Sequence, residues 1–109
     1  MNNNQKIVQF LIYIISEWNL SPFEMAEIIG ESSIVPDTQL SEQSFQKAIS
    51  VINIYKYLGI LFQDTKHSNA WVHKENQSFN GQTAFNVMKT DISQVERYLA
   101  YYACSGPGT

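Results

Sequence analysis

The strongest constraint on the fold is the segment from Glu42 to Phe62, because apolar side chains occupy most positions around a helix there. A helix that is apolar on nearly all sides must be surrounded by other helices, because only then are its side chains removed from contact with water. Ser41 is placed to cap its start, and Gly59, which costs about 1 kcal/mol relative to alanine, suggests a close contact or a kink. We therefore predict a central helix in a bundle. Its apolar positions are Phe45, Ala48, Ile49, Val51, Ile52, Ile54, Tyr55, Leu58, Leu61 and Phe62.

A first helix is predicted from Asn4 to Trp18, since apolar residues recur there with helical spacing. Val8 and Ile12 widen the apolar stripe beyond what a simple surface helix needs. Either this helix is buried on two sides, or Val8 and Ile12 contact a second copy of the chain. The stripe itself consists of Ile7, Phe10, Leu11, Ile14 and Trp18, with Ile15 beside it.

A second helix, Phe23 to Ile29, has clear signals at both ends. Ser21 and Glu24 form a capping-box pattern around Pro22, which suits the first helical position, and Gly30 ends the helix. Residues 31–39 are predicted as a loop, because Pro36 disfavours a helix there.

The C-terminal part predicts shorter helices. They span Lys66 to Lys74, Ala84 to Lys89 after a Thr83 cap, and Ile92 to Ala103 after Asp91, with a loop over residues 76–81. No period-two pattern persists, so the class is all-α, a single compact bundle of about five or six helices. We place a boundary between residues 39 and 40 and expect both parts to share one core.

Composition favours a folded protein in a reducing compartment. Of the 109 residues, 44% are hydrophobic and only 16% are charged, which is unlike a disordered chain. Cys104 is the single cysteine, so no disulfide can form within one chain and a cytoplasmic location is expected. The apolar run from Ile7 to Ile15 is shorter than the roughly 20 residues that span a bilayer, so no membrane segment is expected.

The N-terminal half resembles a degenerate helix-turn-helix. Leu20 to Gly30 has the pattern of the first helix and turn, but Pro36 interrupts the segment where a recognition helix should follow. No Lys or Arg lies between Lys6 and Lys47, whereas cationic contacts supply most of the affinity for DNA. DNA binding is therefore doubtful. The acidic residues of this half are Glu17, Glu24, Glu27, Glu31, Asp37 and Glu42.

Nothing in the sequence indicates catalysis. His67 and His73 fall on different helical faces and match no zinc-binding spacing, so we interpret both as surface residues. Cys104 has no neighbouring His or Asn that would activate it, and no glycine-rich phosphate loop is present. We expect no enzyme activity, no cofactor and no metal.

The stretch from Ala70 to Met88, continued by Val95 to Leu99, resembles the toxin-binding domain of Xre/MbcA/ParS antitoxins. That family's pattern has a Trp that opens a short helix, a Pro-Asn pair, a Gly-Gly-Arg-Ser/Thr-Pro turn and a final helix with an Arg-Tyr-Leu-like run. Leu40 to Phe62 also looks like the family's central helix, so the resemblance covers most of residues 40–103. The matching loop motif consists of Trp71, Asn76, Phe79, Gly81 and Thr83.

Four positions depart from the family pattern. Glu75 and Ala84 replace prolines, Asn80 replaces the first glycine, and Gln82 replaces the arginine. Asparagine tolerates left-handed backbone angles better than other non-glycine residues, so Asn80 is compatible with the turn. Gln82 removes a cation, together with any role of the family's guanidinium.

The resemblance implies an antitoxin of a bacterial type II toxin-antitoxin system. Its partner would be a RES-domain toxin that consumes NAD, whose active-site entrance the antitoxin covers with its C-terminal elements, as a homodimer or as a hetero-oligomer with the toxin. The alternative function is a helix-turn-helix transcription regulator that binds DNA.

The candidate toxin-binding residues lie on the last helix and just after it. Helical spacing puts Ile92, Val95, Leu99 and Tyr102 on a core stripe and turns Tyr101 outward. Tyrosine and arginine are enriched at interfaces, although ordinary partial exposure is the alternative. Either this face or the tail, residues 104–109, is predicted to enter the toxin's cleft. The candidates are Arg97, Tyr98, Tyr101, Tyr102 and Cys104.

Overall fold

The computed structural model describes residues 2–104 and confirms the all-α class. Two single 3₁₀ turns, Trp71–His73 and Gln77–Phe79, lie between the last two helices, and the described residues contain no strand. The five helices are α1 (Asn3–Glu17), α2 (Pro22–Ile29), α3 (Glu42–Leu61), α4 (Thr65–Ala70) and α5 (Ala84–Cys104).

The chain divides inside α3, after Ile52, into two compact units, which we call the N-terminal and the C-terminal unit. The boundary predicted between residues 39 and 40, with one shared core, stays a prediction. No helix of the described residues is long and apolar enough to cross a bilayer.

In the N-terminal unit, α1 begins at an asparagine cap and buries one face. The Asn2 side chain accepts a hydrogen bond from the Gln5 backbone N–H at 2.8 Å, which satisfies a donor that the first helical turn leaves free. Val8 is completely buried, so the alternative that it reaches a second copy of the chain is wrong. Ile12 is half-buried.

The ends of α2 are those that the sequence predicts. Ser21 Oγ accepts from the Glu24 backbone N–H at 3.1 Å, and Glu24 Oε1 accepts from the Ser21 backbone N–H at 2.8 Å. Gly30 ends the helix with φ +83°, an angle that glycine adopts without a Cβ clash. The next helix begins only at Glu42, so the described chain has no recognition helix directly after α2.

The central helix α3 is confirmed, with its end at Leu61 rather than Phe62. Ser41 Oγ accepts from the Ser44 backbone N–H at 3.1 Å, as a cap should. Of the two roles suggested for Gly59, a close contact is absent, because a Cβ there would meet no heavy atom within 4 Å apart from its own helix backbone. The fully buried positions of α3 are Ala48, Val51, Ile54 and Leu58.

In the C-terminal unit, Asp64 caps the start of α4, and its carboxylate accepts from the Lys66 backbone N–H at 2.7 Å. This hydrogen bond, assisted by His67 at 3.2 Å, lowers the pKa of the Asp64 carboxyl. The helix is shorter than predicted, because the chain tightens into the first 3₁₀ turn at Trp71. The two last predicted helices are both present within α5 and are separated at Asp91, as predicted, because its φ of −154° and ψ of 76° are not helical.

Candidate protein-binding site

The loop between the 3₁₀ turns and α5 is closed around Asn76. Its side chain accepts from the Ser78 backbone N–H at 2.8 Å, and its carbonyl accepts from the N–H groups of Phe79 and Gly81, each at 2.9 Å. The Asn76 N–H donates to the Gln82 carbonyl at 3.0 Å. The hydrogen bonds of Asn76 therefore join both ends of the loop.

The turn that follows needs two left-handed residues, Asn80 with φ +58° and Gly81 with φ +81°. Asparagine and glycine are the residues that adopt this conformation most readily, so the departure at Asn80 preserves the turn. Thr83 Oγ1 accepts from the Asn86 backbone N–H at 3.1 Å and caps α5 as predicted. Thr83 also pairs with Glu75 in an isolated bridge.

Five aromatic rings, which we call the aromatic cluster, connect this loop to the end of α5. Phe79, which is 2% exposed, lies 5.1 Å from the Tyr98 ring and 6.1 Å from the Trp71 ring, measured between centroids. Trp71 and Tyr98 stack at 6.2 Å with 18° between their planes. Tyr98 then contacts Tyr102 at 4.9 Å, and Tyr102 contacts Tyr101 at 5.2 Å. The rings thus run from the buried loop to the surface.

The outer end of the aromatic cluster is exposed. Tyr101 is 65% exposed, as predicted, and Tyr102 is 48% exposed. The prediction that Tyr102 continues the core stripe is wrong, although Ile92, Val95 and Leu99 are buried as expected. The last turn of α5 contains no buried residue, so the stripe is only partly covered there.

Arg97 is exposed one helical turn before Tyr101. Its guanidinium donates to Ser93 Oγ at 3.1 Å, and Ser93 in turn donates to Asp91 Oδ1 at 2.7 Å. This chain of hydrogen bonds starts at the bend of α5 and restricts the arginine side chain. Because a guanidinium has five N–H donors, most of them stay available to a partner.

Among the predicted site residues, the structure brings Trp71, Phe79, Tyr98, Tyr101 and Tyr102 into one cluster. Cys104 is exposed at the end of α5, whereas the tail at residues 105–109 lies outside the described residues. The stacking of Trp71 on Tyr98 was not predicted, because the sequence places the two residues on different elements.

The described residues contain no group of three or more His, Cys, Asp or Glu side chains that could hold a metal ion. His67 and His73 are both exposed, as predicted. The aromatic cluster offers aromatic area and tyrosine hydroxyls to a partner, and Arg97 is exposed on the same helix.

A helical unit that ends in exposed tyrosines and an arginine has the composition of a protein-binding module. Residues 58–103 match the family described as antitoxin Xre/MbcA/ParS C-terminal toxin-binding domain. This segment, from the last turn of α3 through α5, is therefore similar to the toxin-binding domain of that family. Comparison with curated proteins and with solved structures gives no match.

Proposed function

We propose that this chain is an antitoxin that binds a RES-domain toxin in the cytoplasm of a bacterium and covers the entrance of its active site. The main support is the exposure of Tyr101 and Tyr102 at the end of a segment that matches a toxin-binding domain. Two large aromatic side chains exposed side by side are costly in water and gain free energy when a partner buries them.

The inner part of the aromatic cluster supports the same function. Phe79 is buried and Tyr98 is half-buried between Phe79 and Trp71, so the outer rings stand on an ordered base. A side chain that is ordered before binding loses less conformational entropy in the complex. We therefore assign Tyr101 and Tyr102 to contact with the toxin, and Trp71, Phe79 and Tyr98 to their support.

DNA binding is the weaker function for this chain. The described N-terminal unit has no helix between Ile29 and Glu42 that would enter a major groove. The same half has no cation between Lys6 and Lys47, so it offers little attraction to phosphates. That this chain does not bind DNA by itself stays a prediction. A gel-shift measurement on the DNA upstream of the gene would check it.

The proposed function is tested with the product of the gene beside this chain's gene, which we expect to be a RES-domain protein. We expect the two purified proteins to form a stable complex in gel filtration. NAD consumption by the RES-domain protein should fall as the chain is added and reach its minimum at the stoichiometry of the complex. If no complex forms at micromolar concentrations and NAD consumption is unchanged, the proposed function is wrong.

A further inference from the structure

Arg97 is an exposed cation on α5 that has no carboxylate partner among residues 2–104. Its Nη1 donates to Ser93 Oγ at 3.1 Å, and this is the hydrogen bond that holds the side chain. A guanidinium binds both oxygens of a carboxylate through two parallel N–H donors, and the edge formed by Nε and Nη2 is not used by the bond to Ser93. Arg97 therefore presents a two-donor edge that another molecule can reach.

The nearest carboxylates on the same helix bind other groups. Glu96 Oε2 accepts a hydrogen bond from the Asn53 side chain on α3 at 2.9 Å. Asp91 Oδ1 accepts from the Ser93 hydroxyl at 2.7 Å. Neither carboxylate forms an ion pair with Arg97, so the charge of the guanidinium is not compensated by its neighbours on α5.

Asp91 and Ser93 determine how the arginine side chain is held. A serine hydroxyl has one proton, and because Ser93 donates it to Asp91, the oxygen is left as an acceptor for Arg97. A side chain that is held before binding loses less conformational entropy in a complex. We therefore regard Asp91 and Ser93 as positioning residues for Arg97.

The position of Arg97 on α5 puts it beside the exposed tyrosines. Tyr101 follows it by four residues, which corresponds to about 6 Å along the helix axis and about 40° around it. An interface of ordinary size buries about 800 Å² of each partner and extends on the order of 15 Å from its centre. A toxin that covers Tyr101 and Tyr102 therefore also covers Arg97.

Covering Arg97 removes water from its guanidinium. A charge that loses its hydration is unfavourable unless an opposite charge pairs with it. Since no carboxylate of the described chain pairs with Arg97, the partner has to supply the anion.

We infer, on the basis of the proposed function, that Arg97 binds an Asp or Glu side chain of the toxin through its Nε and Nη2 donors, and that Asp91 and Ser93 hold it for this contact. Tyr101 and Tyr102 contribute aromatic area to the interface, whereas Arg97 contributes specificity. A protein without a carboxylate at this place would leave the cation covered and unpaired.

The inference is tested with Arg97→Ala and Arg97→Lys in the full chain, by calorimetry without NAD, using the product of the neighbouring gene as the probe. The Kd should rise at least about 30-fold for alanine, because truncation leaves the toxin's carboxylate unpaired in the interface. Lysine should still bind at least about tenfold more weakly than the original chain, since an ammonium keeps the charge but lacks the two-donor edge.

Lys6→Ala is the matched control for the change in net charge. Lys6 is exposed on α1, outside the segment that matches the toxin-binding domain. Its Kd should stay within about threefold of that of the original chain. All variants should melt within about 3 °C of the original chain, because the substituted side chains are exposed.

The positioning role is tested separately at Ser93. We expect Ser93→Ala to weaken binding about fivefold, and Ser93→Thr, which keeps a hydroxyl, to bind within about twofold of the original chain. Combined with Arg97→Ala, Ser93→Ala should cause no further loss, because it acts through the arginine. An equal fivefold loss in that combination would overturn the positioning role.

Three results would overturn the contact with a toxin carboxylate while the proposed function stands. They are a Kd for Arg97→Ala or Arg97→Lys within about threefold of the original, an equal loss in Lys6→Ala, and a loss in Arg97→Ala that appears only when NAD is added. The last result would mean that the anion is a nucleotide phosphate. If the original chain itself does not bind the probe, the proposed function fails, and the toxin is not the source of the anion.

Discussion

Replacing Tyr101 and Tyr102 together by alanine is expected to weaken binding to the toxin about 100-fold, which corresponds to about 2.7 kcal/mol. Tyr101 is 65% exposed and Tyr102 is 48% exposed, so much of the area of both rings is available to a partner. The Tyr98 ring, 4.9 Å from Tyr102, supports them from the interior of the unit. Binding is measured by calorimetry with the RES-domain protein.

The matched control for this variant is Phe23→Ala. Phe23 is 68% exposed, so its truncation removes a comparable exposed ring, but it lies in the N-terminal unit outside the segment that matches the toxin-binding domain. We expect its Kd to be unchanged. An equal loss of binding in Phe23→Ala, or no loss in the double tyrosine variant, would show that the toxin contacts another surface.

The second large effect is expected at Phe79, where alanine should lower the free energy of unfolding by about 3–5 kcal/mol. The ring is 2% exposed and lies against both Trp71 and Tyr98, so truncation leaves a cavity beneath the aromatic cluster. A loss of this size is a large part of the 5–15 kcal/mol or so that stabilises a typical domain. Urea unfolding followed by circular dichroism measures it.

Phe79→Leu serves as the control, because it keeps most of the buried apolar volume and should cost less than about half as much as alanine. If Phe79→Ala loses under 1 kcal/mol, the ring does not support the cluster as described. Equal losses for leucine and alanine would instead mean that the aromatic contacts, rather than the filled volume, stabilise this part of the C-terminal unit.

The helices of this chain could be predicted because their end signals are local. Ser21, Glu24 and Gly30 act within a few residues of one another, and the structure contains the capping box and the left-handed glycine that they predict. The same holds for Thr83 at the start of α5 and for the bend at Asp91. Hydrogen bonds between close neighbours need no knowledge of the tertiary structure.

The surface of α5 was predicted only in part. Periodicity indicates which residues share a helix face, but not how far along the helix other elements pack against that face. Ile92, Val95 and Leu99 are buried, but Tyr102 on the same stripe is 48% exposed. Helical spacing alone assumes that the helix is covered along its full length. The exposure of Tyr102 depends on which other elements pack against the end of α5. Helical periodicity in a single sequence does not predict that packing.

The aromatic cluster depends on contacts between residues that are distant in sequence. Trp71 and Tyr98 come from different elements, and no local pattern indicates that their rings stack. Gly59 was recognised as unfavourable in a helix, but it was interpreted as a close contact or a kink. The close contact is absent, because no neighbouring heavy atom outside its own helix lies within 4 Å of a Cβ placed at Gly59.

The most direct test of toxin binding at the end of α5 uses Cys104, the single cysteine of the chain, as a natural reporter. Its thiol is exposed in the free protein and follows Tyr101 and Tyr102 by less than one helical turn. Alkylation of this chain is followed by mass spectrometry with and without saturating RES-domain protein, and Cys104→Ser combined with Ser32→Cys provides an exposed thiol in the N-terminal unit as the control. If the toxin binds at the end of α5, Cys104 should be alkylated at least about tenfold more slowly in the complex, because a buried thiol is inaccessible to the reagent. The control thiol should react at an unchanged rate. An unchanged alkylation rate of Cys104 in a complex that demonstrably forms would contradict toxin binding at the end of α5.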